Sequence, residues 1–167
     1  MLLTLMFVAH LARAAASHAV LPPVLPPGDL AFGLDKLKWG MTAREARKKY
    51  PSLDGPDAEP GQLSATLSLR NYAIAGCRFT VSLDFALGRL DQVDLDSDGT
   101  AGLKACSDAI KPALIRQYGG EPGGFSPAQN PHGYSEYAAW GGPVTEIVYA
   151  ELKGGFITMH FSTPGHR

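Results

Sequence analysis

The sequence of 167 residues lacks most of the features that reveal a function directly. Its 15 lysines and arginines are balanced by 16 aspartates and glutamates, whereas a nucleic-acid-binding domain needs an excess of positive charge. We therefore expect no nucleic-acid partner. The His-x-x-x-His and Gly-x-Ser-x-Gly spacings of zinc proteases and serine hydrolases are missing, as is a phosphate-binding glycine loop. These absences predict a protein that is not an enzyme and has no cofactor.

Long hydrophobic runs are missing as well. A membrane-spanning helix requires about 20 apolar residues, and the run from Met1 to Ala9 is much shorter, so we expect no transmembrane span. The alanine-rich segment 14–19 follows it, which is the pattern of a secretory signal peptide. We predict a signal peptide over residues 1–19, cleaved after Ala16 or Ala19, and a periplasmic or secreted protein. A buried N-terminal helix is the alternative.

Cysteine is scarce, and the two that occur are Cys77 and Cys106. In an exported protein an even pair favours a disulfide bond, which would restrict the unfolded chain by on the order of 3 kcal/mol. Two buried free thiols are the alternative. Neither cysteine has a Cys-x-x-Cys neighbour or a histidine close by in sequence, so a redox or nucleophilic role has no support.

The predicted domain begins after a proline-rich leader at residues 20–35, since proline in this density excludes helices and central strands. Residues 36–167 are predicted to form a single domain. A capping box formed by Thr42 and Glu45 predicts a helix at about 42–50. A second helix is expected at about 101–118, and it either kinks or breaks at Pro112.

Three strands are predicted after each helix, because apolar and polar residues alternate there. The strands after the second helix are placed at about 134–140, 144–151 and 155–162. The order α-βββ-α-βββ predicts an α+β fold, with an antiparallel sheet and helices packed on one face. The helices end at Tyr50 and Tyr118, whose numbers differ by 68. We therefore predict tandem repeats at about 36–98 and 99–165.

One acidic motif raises the question of a metal. The run Asp94-Leu95-Asp96-Ser97-Asp98-Gly99 matches the first half of an EF-hand calcium loop. Ala105 stands where the bidentate glutamate of such a loop belongs, and no helix precedes the run. The favoured interpretation is a strand with exposed carboxylates that ends in a turn at Asp98 and Gly99, so we predict no metal site.

Three other features leave their role open. The aromatic residues Tyr134, Tyr137, Trp140 and Tyr149 fit a sheet core, with an interface as the alternative. The basic residues Arg44, Arg47, Lys48 and Lys49 fit a solvated helix face, with a binding patch as the alternative. The glycine- and proline-rich segment 119–133 is predicted to be a long loop, and loops of this length are commonly functional.

A family resemblance rests on the first helix and on the close of the second. The residues that carry it are Trp39-Gly40-Met41-Thr42-Ala43-Arg44-Glu45-Ala46, Tyr50-Pro51 and Tyr118-Gly119-Gly120-Glu121-Pro122. The first group resembles the Gly-Met-Thr helix opening of small bacterial envelope proteins, including outer-membrane assembly lipoproteins of the SmpA/OmlA type. The doubled helix-plus-sheet pattern resembles the β-lactamase-inhibitor-protein fold. The lipobox cysteine of the assembly lipoproteins is absent, and Ala46 replaces their usual branched residue.

The sequence therefore predicts an exported, non-enzymatic protein that binds another protein or a cell-envelope component through its sheet surface. The alternative is a periplasmic module that binds a small molecule or a metal through the 119–133 loop or the Asp94–Asp98 turn. The sequence does not identify the binding residues.

Overall fold

The computed structural model describes residues 34–56, 64–119, 134–141, 144–152 and 154–164. The elements are α1 (Ala43–Lys49), β1 (Ser64–Ile74), β2 (Cys77–Ala86), β3 (Arg89–Ser97), α2 (Leu103–Tyr118), β4 (Tyr134–Gly141), β5 (Glu146–Leu152) and β6 (Phe156–Ser162). The predicted signal peptide, most of the leader and nearly all of the 119–133 loop lie outside the described residues. Neither helix in the described ranges is long and apolar enough to cross a membrane.

All six strands belong to one antiparallel sheet, in the order β1-β2-β3-β6-β5-β4. Two three-stranded units therefore meet where β3 pairs with β6, with Asp94 opposite His160. The sheet and two helices confirm the α+β class and the antiparallel pairing. The similarity of the two units to each other stays a prediction.

The sheet has an inward side that forms most of the core. Along β2 the odd-numbered residues from Cys77 to Phe85 are buried, and the even-numbered residues between them are more exposed. The neighbouring strands largely follow the same period of two, which is the pattern of a sheet covered on one face. Ala150 of β5 and Ser162 of β6 are exceptions, because they are buried on the outward side. The largest fully buried side chains on these strands are Tyr149, Phe79, Phe85, Phe161, Leu67, Leu83, Leu90, Leu95 and Ile147. Full burial of one such side chain contributes about 1.5–3 kcal/mol.

Helix α1 is specified by its own sequence. The Thr42 side chain accepts a hydrogen bond from the Glu45 backbone, and the Glu45 carboxylate accepts one from the Thr42 backbone at 2.7 Å. This is the predicted capping box, and it satisfies two of the free N–H groups of the first turn. Ala43 and Ala46 are buried, so the small side chains let this short helix pack closely against the core.

Helix α2 is held in place by distant residues rather than by a cap. Gly102 precedes it without a side-chain cap, and the helix continues through Pro112, although proline removes one hydrogen bond of the ladder. Cys106 and Cys77 of β2 lie at disulfide distance, with their Cα atoms 5.6 Å apart, so the predicted pair is confirmed. At the other end, the Trp140 indole N–H donates to the Gly119 carbonyl at 3.2 Å.

Candidate functional site

Many of the outward side chains of the sheet line up in three cross-strand rows, which together we call the open face. The first row is Thr80, Asp96, Thr158, Ala150 and Tyr137. The second row is Ser68, Ser82, Asp94, His160, Val148 and Ala139. The third row is Thr66, Asp84, Gln92, Ser162, Glu146 and Gly141. Because neighbouring strands lie about 4.8 Å apart, a row across all six strands is about 24 Å long.

The open face is polar and acidic. It contains the carboxylates of Asp84, Asp94, Asp96 and Glu146, and its three rows contain no lysine or arginine. Arg70 and Arg78 lie on the outward side beyond the first row, and Arg78 pairs with Asp98. Asp96 and Glu146 form no ion pair with any residue in the described part of the chain. A surface with an excess of one charge sign attracts partners of the opposite sign.

His160 is the one basic group on the open face. Its Nδ1 atom lies 2.6 Å from Oδ1 of Asp94, and the Gln92 amide donates to Oδ2 of the same carboxylate at 2.7 Å. The hydrogen bond to Asp94 raises the pKa of His160 above its ordinary value of 6.5, against the effect of burial. The charges of Asp84 and Glu146 act in the same direction as Asp94. A protonated His160 therefore neutralises only part of the negative charge.

The residues of the acidic motif lie on a strand and in the turn that follows it. Asp94 and Asp96 are on β3, and Asp98 accepts hydrogen bonds from the backbone and side chain of Thr100. The carboxylate of Asp98 also pairs with Arg78 at 3.4 Å. The strand-and-turn interpretation is thus confirmed. Among the described residues there is no group of three or more His, Cys, Asp and Glu side chains arranged to hold a metal ion.

The aromatic residues divide between the two sides of the sheet. Trp140 and Tyr149 are buried in the core, as the sequence interpretation favoured. Tyr137 instead belongs to the open face and is 37% exposed. The side chain of Tyr134 lies outside the described residues.

A second polar cluster lies on the inward side of the sheet, between α2 and strands β4 and β5. Oε1 of Glu151 accepts hydrogen bonds from Ser107 at 2.6 Å and from Tyr149 at 2.7 Å. The Lys111 ammonium lies 2.8 Å from the same oxygen and 2.7 Å from Glu136. Glu136 and Glu151 are directly opposite in the β4–β5 ladder, so Lys111 offsets the repulsion between them. These five residues form what we call the closed cluster.

The protonation of the closed cluster suits a structural role. Burial acts against the charge of Lys111, but its hydrogen bonds to Glu136 and Glu151 outweigh this and raise its pKa. Burial likewise acts against the charge of Glu151, and the hydrogen bonds from Lys111, Ser107 and Tyr149 outweigh it and lower its pKa. A serine nucleophile needs a neutral base beside it, and Lys111 is held as a cation. Ser107 is also only 7% exposed.

Comparisons with known proteins found no similar protein. No protein-family model matches the chain, and neither the curated proteins nor the solved structures contain a significant match.

Two residues of the open face were not singled out from the sequence. Neither His160 nor Glu146 belongs to a motif of the sequence that indicates a function. The alternation of residues gives the face of a strand on which each lies, but the pairing of β3 with β6 is what brings His160 to Asp94. The sequence indicates only that His160 and the acidic residues of the open face each lie at an outward position of their own strand.

Proposed function

We propose that this protein is an exported, non-enzymatic binding protein that attaches to a positively charged segment of another protein through the open face. The observation that carries the proposal is the acidic character of this face, in which four carboxylates are accompanied by one histidine. A protein whose sheet is covered on one side and polar on the other can present the polar side to a partner.

The proposal depends on which side of the sheet the two helices cover. We infer that both helices cover the inward side of the sheet and leave the outward side free. Three contacts of α2 support this, because each reaches an inward residue: Cys106 to Cys77, Lys111 to Glu151, and Tyr118 to Phe161, whose ring centroids are 6.5 Å apart. Ala46 of α1 is fully buried within the same core.

The chemistry of the open face favours an extended, lysine- or arginine-rich partner. Each of the three rows contains at least one carboxylate, so negative charge is spread along the strands instead of being concentrated at one point. Tyr137 adds an exposed aromatic ring at one end of the first row, and tyrosine is a common anchor in protein interfaces. Serine and threonine side chains between the carboxylates supply hydrogen bonds to a peptide backbone.

Export is supported by two features of the chain. The N-terminal segment has the pattern of a signal peptide, and the structure holds Cys77 and Cys106 at disulfide distance. Resemblance to envelope binding modules and the lack of a catalytic arrangement in the described residues favour binding over catalysis.

The experiment is a calorimetric titration of the full chain with a synthetic peptide that alternates lysine and threonine. We expect binding that weakens as salt is added, since exposed charges are screened over about 8–10 Å at moderate ionic strength. The double variant Asp96→Asn/Glu146→Gln should weaken binding about tenfold or more, because it removes two carboxylates that form no ion pair among the described residues.

The matched control is Asp35→Asn/Asp108→Asn, which removes the same charge from exposed positions outside the three rows. It should bind the peptide like the native chain. The proposal fails if the native chain does not bind the peptide, or if the two double variants weaken binding equally.

A further inference from the structure

The strongest unassigned feature is a cleft beside α1 that is lined by lysines. Its volume is about 680 Å³, which lies within the usual range of about 300–1,000 Å³ for small-ligand sites. The lining residues are Asp35, Lys36, Lys38, Met41, Lys48 and Lys49. Four of these residues are lysines and one is an aspartate, so the lining has an excess of positive charge although the whole chain has a net charge of −1.

The lysines come from two segments that the fold brings together. Lys36 and Lys38 flank the buried Leu37, and a backbone hydrogen bond from Leu37 to Leu34 at 2.9 Å closes the turn that carries them. Lys48 and Lys49 belong to the last turn of α1, whose Ala43 and Ala46 are buried. Both segments are therefore anchored to the core by buried residues.

The charge of the cleft depends on what its lysines and the neighbouring tyrosine contact. Within the part of the chain that the structure describes, none of the four forms an ion pair with a carboxylate. Lys36 lies over the ring of Tyr50, with its Nζ atom 5.7 Å from the ring centre. Burial, together with the hydrogen bond to Tyr72, raises the pKa of Tyr50 to about 12. The phenol therefore stays neutral at physiological pH and leaves the cleft positive.

A position near the C-terminus of a helix explains why two of these lysines are tolerated, because the helix dipole favours cations there. It does not account for Lys36 and Lys38, which come from outside the helix. All four lysines are exposed, so water and salt weaken their mutual repulsion, and a bound anion would reduce it further.

We propose that this cleft binds the phosphate groups of a multiply charged anion, such as a polyphosphate or the phosphate-bearing headgroup of a lipid. Lysine ammonium groups are compact point charges on flexible stems, which suits phosphate oxygens in several orientations better than one planar carboxylate. The Met41 side chain, which is packed against the core, provides an apolar wall at which the uncharged part of such a ligand can rest.

The test is a calorimetric titration of the full chain with inorganic tripolyphosphate at moderate ionic strength, with sulfate as the reference anion at matched ionic strength. We expect tripolyphosphate to bind more tightly than sulfate. The variant Lys36→Gln/Lys38→Gln should weaken tripolyphosphate binding about tenfold or more, because two of the four charges are removed.

The matched control is Lys104→Gln/Arg116→Gln, which removes the same charge from exposed positions on α2 and should leave binding unchanged. Thermal unfolding followed by circular dichroism verifies that both variants are folded. A second arm measures sedimentation with vesicles of phosphatidylcholine, with and without phosphatidate.

Binding to tripolyphosphate alone assigns the site to soluble phosphate compounds, and additional binding to phosphatidate vesicles assigns it to lipid headgroups. The proposal is overturned if neither probe binds, if sulfate binds equally well, or if the two double variants weaken binding to the same extent.

Discussion

The closed cluster and the open face both contain carboxylates beside a basic group, yet they differ in how well their charges are satisfied. In the closed cluster one ammonium lies within 2.8 Å of two carboxylates, and a serine and a tyrosine also donate to Glu151. On the open face His160 reaches Asp94 alone, and Asp96 and Glu146 have no cation among the described residues. The difference separates polar groups that stabilise the fold from those that are available to a partner.

Burial determines how much each charge contributes to the free energy of unfolding. A buried charge that loses its partner is left in a poorly solvated place, whereas an exposed charge is stabilised by water and salt. Substitutions in the closed cluster should therefore change the free energy of unfolding, and substitutions on the open face should change binding instead.

The largest effect is expected from Lys111→Met. This change leaves Glu136 and Glu151 opposite each other without their shared cation, and we expect a loss of about 3–5 kcal/mol in the free energy of unfolding. Urea unfolding at neutral pH measures it. Lys104→Met is the control, because Lys104 is 87% exposed and pairs with Asp108 one turn further along the helix, so its loss should stay within about 0.5 kcal/mol. Equal losses of stability in the two variants would show that the closed cluster contributes no more to the fold than an exposed ion pair does.

A slightly smaller effect is expected from Cys77→Ser/Cys106→Ser. The bridge spans a sequence separation of 29 and ties α2, which has no side-chain cap, to β2. In the chain-entropy account its removal should lower the free energy of unfolding by about 3–4 kcal/mol. The native chain unfolded in the presence of reductant should approach the same stability. A loss below about 1 kcal/mol would show that the inward contacts of α2 hold the helix without the bridge.

The smallest effect on stability is expected at His160, but its titration is informative. Its pKa is raised in the folded state, so the pair with Asp94 contributes fully below the ordinary pKa of 6.5 and is lost as pH rises through the raised value. The side chain is 37% exposed, so screening keeps this contribution small. A proton NMR titration should give a pKa above 6.5, and Asp94→Asn should return it towards 6.5. An unchanged pKa in this variant would show that Asp94 is not the source of the shift.

The local features of the fold could be predicted from the sequence because their signals lie within a few residues. Thr42 and Glu45 are three positions apart and form the expected capping box. The alternation along β2 likewise gave the inward side chains. Asp94 and Asp96 lie on a strand because their neighbours Val93 and Leu95 alternate with them in the core.

The candidate sites were less accessible to prediction, since they depend on pairings between distant residues. Glu151 shares its face with Ile147 and Tyr149, but its cation, Lys111, is on a helix 40 positions earlier in the chain. The joining of β3 to β6 brings His160 beside Asp94, and nothing local specifies which strands become neighbours. The packing of residues 34–38 beside α1 adds Lys36 and Lys38 to the cleft, which the helical basic residues alone did not predict.

The most direct test of this account is the affinity of the lysine-threonine peptide for the native chain, for Asp96→Asn/Glu146→Gln and for Asp35→Asn/Asp108→Asn. The account predicts salt-sensitive binding that only the open-face variant weakens, by about tenfold or more, while all three proteins unfold within about 0.5 kcal/mol of one another. Binding that is absent, or that both variants weaken equally, would contradict it.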